Sequence, residues 1–177
     1  MTYPWAAGEV LTAADLNSAM GLVFIKSQTV GSGVSSVTVT DAFSSTFDNY
    51  RVIFSGSVAS AGVSLQLQIG GFTTGYYGAL SKLTFAGTSN TVLSNNASAL
   101  DVGSIGTIAG ENSIAVEVYN PTATTRHAFT SLGHGNAEYS VGAGQQVTGS
   151  AATSLTFLPA SGTMTGGTIR VYGYNNG

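Results

Sequence analysis

Two short stretches constrain this chain more than any other feature. Leu65-Gln66-Leu67-Gln68-Ile69 places an aliphatic side chain at every second residue with amides between. Ile114-Ala115-Val116-Glu117-Val118-Tyr119 repeats the pattern with Ile114, Val116 and Val118. Successive side chains of an extended chain point to opposite faces, so a period of two predicts strands with one buried and one solvated face. Val37 to Thr40, Tyr50 to Phe54, His127 to Leu132, Ser154 to Leu158 and Thr168 to Tyr174 read as further strands, being rich in β-branched and aromatic residues. Gly70-Gly71, Asn95-Asn96, Asn120-Pro121 and Gly166-Gly167 are the expected turns between them. Short strands at this spacing predict an all-β fold, an antiparallel, jelly-roll-like β-sandwich over residues 22–177. Gly103 to Gly110 is glycine-rich, but no helix follows as a phosphate-binding loop would require, so a turn or loop between strands is expected there.

Residues 1–21 follow a different pattern. Thr12 is a good N-cap, and Asp15 falls three positions later, as in a capping box. Leu11 and Leu16 occupy the positions of a hydrophobic staple, and Gly21 is a natural stop after Met20. The predicted helix is only about eight residues long, too short to be stable alone in water, so it needs a surface on which to dock.

Charged residues make up 7% of the chain, against about 25% in an average soluble domain. Hydrophobic residues make up 43%, which argues against disorder. The surface must therefore be covered largely by hydroxyls and amides. Such a surface lacks the charge repulsion that keeps monomers apart and suits packing against copies or into a larger assembly. A net charge of −3 gives no reason to expect nucleic acid or an anionic membrane as partner. No apolar run reaches the roughly 20 residues of a membrane-spanning helix, so no membrane insertion is expected. The first residues lack the basic and apolar regions of a secretory leader. Cysteine is absent, which removes disulfides and thiolate metal sites.

The acids Glu9, Asp15, Asp41, Asp48, Asp101, Glu111, Glu117 and Glu138 are dispersed, with no pairing visible for glycoside hydrolysis. Asp41 and Asp48, near strand ends, are expected to make local turn bonds. His127 and His134 alone fall short of a zinc ligand set, and His134, between two glycines, reads as an exposed loop tip. No serine sits in a nucleophile-elbow pattern. Enzymatic activity, a cofactor and a metal are not expected. Arg170, Tyr172 and Tyr174 share a strand face opposite Ile169 and Val171, and Tyr76 and Tyr77 sit together after a glycine. Exposed tyrosines can stack on sugar rings, and Tyr and Arg are enriched in protein interfaces. These five residues are the candidate trimer or ligand contacts.

Trp5-Ala6-Ala7-Gly8-Glu9-Val10-Leu11-Thr12-Ala13-Ala14-Asp15-Leu16-Asn17 resembles the W-x-x-G-E-x-L-T-A-x-D-L-N opening of tail-fibre and other minor structural proteins of tailed bacteriophages. Phe47 to Phe54 and the ending Gly166 to Gly173 look like the first and last core strands of a β-sandwich domain found at the ends of phage fibres. The resemblance implies a homotrimeric virion component whose residues 1–21 dock on a head, collar or tail protein. In that arrangement Trp5 fills an apolar pocket. Leu11, Leu16 and Met20 form the packing stripe, and Thr12, Asp15 and Asn17 belong to the same anchor. A carbohydrate-binding module recognising host surface glycan, a polysaccharide depolymerase and a head-decoration protein are the alternative expectations.

Overall fold

The computed structural model describes Gly8, Val10, Thr12 and residues 21–175, and every regular element among them is a β-strand. In chain order these are β1 (Leu22–Thr29), β2 (Val37–Val39), β3 (Asn49–Ser55), β4 (Val58–Ala59), β5 (Val63–Ile69), β6 (Tyr76–Thr84) and β7 (Ser89–Ala97). They continue with β8 (Leu100–Ile105), β9 (Ser113–Tyr119), β10 (His127–Gly135), β11 (Glu138–Gln146), β12 (Leu155–Pro159), β13 (Met164–Thr165) and β14 (Thr168–Tyr174). The helix expected after Thr12 lies outside the described residues, as do Trp5, Leu11, Asp15, Leu16, Asn17 and Met20. Thr12 itself is exposed and belongs to no strand.

The strands form an eight-stranded sheet in the order β1-β14-β3-β9-β10-β11-β6-β7, a four-stranded sheet β2-β12-β5-β8, and the short pair β13-β4. All pairings are antiparallel. The all-β, sandwich-like expectation therefore holds, with two sheets of unequal width. A jelly roll would distribute eight strands over its two sheets.

The alternation that predicted the strands also builds the core. β3 buries Tyr50, Val52 and Phe54, β9 buries Ile114, Val116 and Val118, and β5 buries Leu65, Leu67 and Ile69. Phe54 of the large sheet meets Phe157 of the small one with ring centroids 5.2 Å apart. The sheets approach more closely over β8, because the large sheet presents glycines there. A β-carbon on Gly78 or Gly144 would lie 2.6 or 2.5 Å from Cδ1 of Leu100, so the leucine fills the space those residues leave open.

Several local expectations are corrected. Gly103 is not in a loop: β8 runs through it to Ile105, and its missing side chain makes room for Ile114. Asn95-Asn96 is not a turn either. Both lie inside β7, at a bulge opposite Tyr76 and Tyr77, with Asn96 at a φ of 50°. A bulge and a turn both call for a left-handed residue, so the Asn pair signals either. Gly70-Gly71 and Gly166-Gly167, all at positive φ, do lie between strands.

Candidate functional site

The outward side chains of the large sheet form continuous rows fixed by register. One row runs Tyr172, Arg51, Glu117, Thr130, Ala143, Ala79, Leu93. The next runs Arg170, Ile53, Ala115, Leu132, Val141, Ser81, Thr91. A third runs Asn49, Tyr119, Ala128, Gln145, Tyr77, Asn95. Two features stand on this face.

The first is an open depression of about 640 Å³ lined by Asp48, Asn49, Glu117, Tyr119, Tyr174 and Asn175. It forms where β14, β3 and β9 end together, so residues distant in sequence converge. Its rim is tied to the backbone: the Asn120 N–H donates to the Asp48 carbonyl at 2.8 Å, and the Asn175 N–H to Gly21 at 3.3 Å. Tyr174 donates its hydroxyl to Oε2 of Glu117 at 2.8 Å, while Nη1 of Arg51 lies 3.5 Å from Oε1. Desolvation, followed by the neighbouring carboxylate, raises the Tyr174 pKa, which keeps the phenol a donor. Tyr119 shares a hydrogen bond with Thr130 across the strands at 3.2 Å.

The second is an apolar field beside it. Ala79, Ala115 and Ala143 floor a hollow of about 550 Å³ whose lining includes Leu132 and Val141. Leu132 and Val141 face each other across β10 and β11 and are 63% and 51% exposed, and Leu93 nearby is 71% exposed. Contiguous apolar side chains on a sheet face mark an interaction surface more often than an ordinary solvated one.

The residues expected to make contacts divide among three places. Arg170, Tyr172 and Tyr174 do point outward together from β14, but only Tyr174 lines the depression. Tyr172 packs edge-on against Phe24 with centroids 5.6 Å apart, and Arg170 donates to Ser55 at 3.3 Å. Tyr77 is half-buried on the same face but on β6, five strands from β14, or roughly 24 Å at the usual strand spacing. Tyr76 is corrected. Its ring is fully buried, and its hydroxyl accepts the Ile69 N–H at 2.8 Å, so it belongs to the core and not to the outward face.

His134 is also corrected. It lies within β10, its Nδ1 bonded to the Glu111 carbonyl at 2.5 Å and its ring stacked on Phe85. His127 is buried, with ring nitrogens 3.1 and 2.8 Å from the carbonyls of Asn120 and Ser150. Seven residues apart on one strand, the two histidines face opposite sides of the sheet. Among the described residues no group of three His, Asp or Glu side chains is gathered as a metal would need. A second polar cluster, Lys82 with Glu138 at 3.5 Å and Ser64 at 3.0 Å, is nearly buried and satisfied within the sandwich, with Ser104 also on Glu138.

Nothing in the sequence marks Asp48, Asn49, Glu117, Tyr119 and Asn175 as neighbours. The outward position of Glu117 and Tyr119 on β9 follows from the alternation, but their meeting with Tyr174 depends on the order β14-β3-β9.

No protein-family model matches the chain, and no curated protein matches it. Among solved structures, a chain described as "Structure of infectious bursal disease virus Gx strain" is similar at 13% identity with a TM-score of 0.11. That match covers 86% of this chain and 40% of the viral one, and a superposition so slight carries nothing about fold or function.

Proposed function

We propose that the chain is a non-enzymatic structural component of a bacteriophage virion, a short fibre that assembles as a homotrimer. Residues 1–21 dock on a head, collar or tail protein, and the β domain projects outward for host attachment. The observation that carries this reading is the N-terminal segment Trp5 to Asn17, which resembles the opening of phage fibre proteins. Two features support it. The exposed apolar field of Leu93, Leu132 and Val141 lies on a chain with only 7% charged residues, which favours packing against copies of itself. The first strand, β1, is an edge strand of the large sheet, so Leu22 lies at the margin of the domain.

The test is deletion of residues 1–21 in a phage that carries the gene. A truncated chain that folds and trimerises but is missing from purified particles supports the anchor. Truncated protein found in particles at the normal copy number refutes it, and so does a truncated chain that only aggregates.

A further inference from the structure

We infer that His127 is a proton-operated clasp, which holds three connections at one end of the sandwich together and releases them as pH rises. His127 is the first residue of β10 and is fully buried. Its Nδ1 lies 3.1 Å from the carbonyl of Asn120, in the connection from β9 to β10. Its Nε2 lies 2.8 Å from the carbonyl of Ser150, in the connection from β11 to β12. Phe72, between β5 and β6, stacks on the ring with planes 6° apart and centroids 6.4 Å apart. Residues from three connections meet on one imidazole.

A carbonyl oxygen only accepts a hydrogen bond, and a neutral imidazole carries one N–H and one lone pair. Whichever nitrogen holds the proton, the neutral ring aims its lone pair at a carbonyl. Only the doubly protonated ring donates to both. Burial opposes the charge. Two charge-assisted bonds offset that cost, being stronger than their neutral counterparts. The neutral ring instead leaves a buried nitrogen unsatisfied against an oxygen that repels it. Phe72, parallel to the ring, resists a rotation out of this plane, so the contact is relieved by moving a connection.

The groups that meet the ring from these elements are uncharged. Across the ladder it is paired with Gln146, whose amide donates to the Thr74 carbonyl and to Thr148. Neither ion pair among the described residues includes His127, and Arg126, its chain neighbour, is exposed. Asp48 joins the network through its backbone, its carbonyl accepting the Asn120 N–H at 2.8 Å. Release is local, because β9, β10 and β11 stay joined by their own ladders. The closed clasp holds one more proton than the open connections, so acid favours closure and rising pH favours opening. Histidine is the side chain that ordinarily changes charge between about pH 5 and 8. The inference concerns the isolated chain and stands apart from the particle assignment.

The test is proton–nitrogen NMR of the full chain, read at the imidazole nitrogens from about pH 5 to 9. The chain has two histidines, and His134→Gln leaves His127 as the single signal. The reporters are the amides of Ala123, bonded to the Asn120 carbonyl, and Ala152, bonded to the Pro121 carbonyl. Both should be protected from hydrogen exchange while both ring nitrogens carry protons. As the ring loses a proton, their exchange should accelerate about tenfold beyond its intrinsic dependence on pH. His127→Gln, which has no such proton to lose, should abolish the step. Thermal melts check that this variant folds, and the wild-type titration stands on its own if it does not. Protected reporters around a ring with one protonated nitrogen, exchange that ignores the ring's titration, or a step that persists in folded His127→Gln would each overturn the inference. Because no particle is involved, these outcomes are separable from those of the truncation.

Discussion

Two tyrosines show how single side chains hold the corners of this molecule. Tyr50 is buried at the start of β3, and its hydroxyl accepts from the Ser44 N–H at 2.7 Å while donating to the Ser44 carbonyl at 2.6 Å. Tyr76 performs a related task at the start of β6, reaching back to Ile69. Burial pushes the Tyr76 phenol up to about 12, from an ordinary value of 10. In the unfolded chain this phenol loses its proton near pH 10, and in the folded chain only near 12. Above pH 10 the unfolded state therefore binds fewer protons, and stability falls as pH rises. The contribution is complete below pH 10 and is lost between 10 and about 12, at a cost on the order of 2 kcal/mol. Tyr174, also raised, adds to the decline in the same direction. Denaturant melts from pH 9 to 12 should show this fall, and Tyr76→Phe should flatten it while costing about 1 kcal/mol at pH 7 for the lost hydrogen bond. An unchanged alkaline slope in the variant would show that Tyr76 is not the residue responsible. From the sequence Tyr76 and Tyr77 were indistinguishable, since adjacent residues on a strand must face opposite ways and nothing local said which faced inward.

Strands were legible where their two faces differ in chemistry. β3, β5, β9 and β14 alternate cleanly and appear close to the expected bounds. β6, β7 and β11 were missed because Gly, Ser, Ala and Asn occupy both of their faces, leaving no contrast to read. The glycines that hid them do structural work in the packing. Gly135, the last residue of the neighbouring β10, does the same. A β-carbon there would lie 2.3 Å from the Ser104 carbonyl oxygen and 2.6 Å from Oδ1 of Asn112. Neither neighbour yields easily, because Ser104 belongs to β8 and the Asn112 amide is itself bonded to Ser57, Gly106 and Ile108. Gly135→Ala should therefore destabilise the domain by roughly 1–3 kcal/mol. Gly21→Ala, with no atom of the described residues within 4 Å of the added carbon, should change stability by less than about 0.5 kcal/mol. Chemical denaturation of the pair checks the contrast, and equal losses would contradict the close approach of β8.

At the scale of the whole molecule, sheet order decides what the sequence could not. β14 lies between β1 and β3, so the last strand pairs with the first, and Tyr174 comes near Glu117 two strands away. The apolar field has a similar origin. Leu93, Leu132 and Val141 come from β7, β10 and β11, and only the order β10-β11-β6-β7 sets them on one face. These side chains lie outside the core, so changing them should leave the single domain intact while altering how domains associate. The double variant Leu132→Glu, Val141→Glu places like charges directly opposite each other at the centre of the field, in each copy. Light scattering coupled to size exclusion should find the wild-type chain as a trimer and the double variant as a monomer, with melting temperatures within a few degrees. A variant that remains trimeric would move the interface to another surface. A monomeric wild-type chain at micromolar concentration would remove the basis for self-association through this face, because apolar area of this kind should then be covered by a different partner.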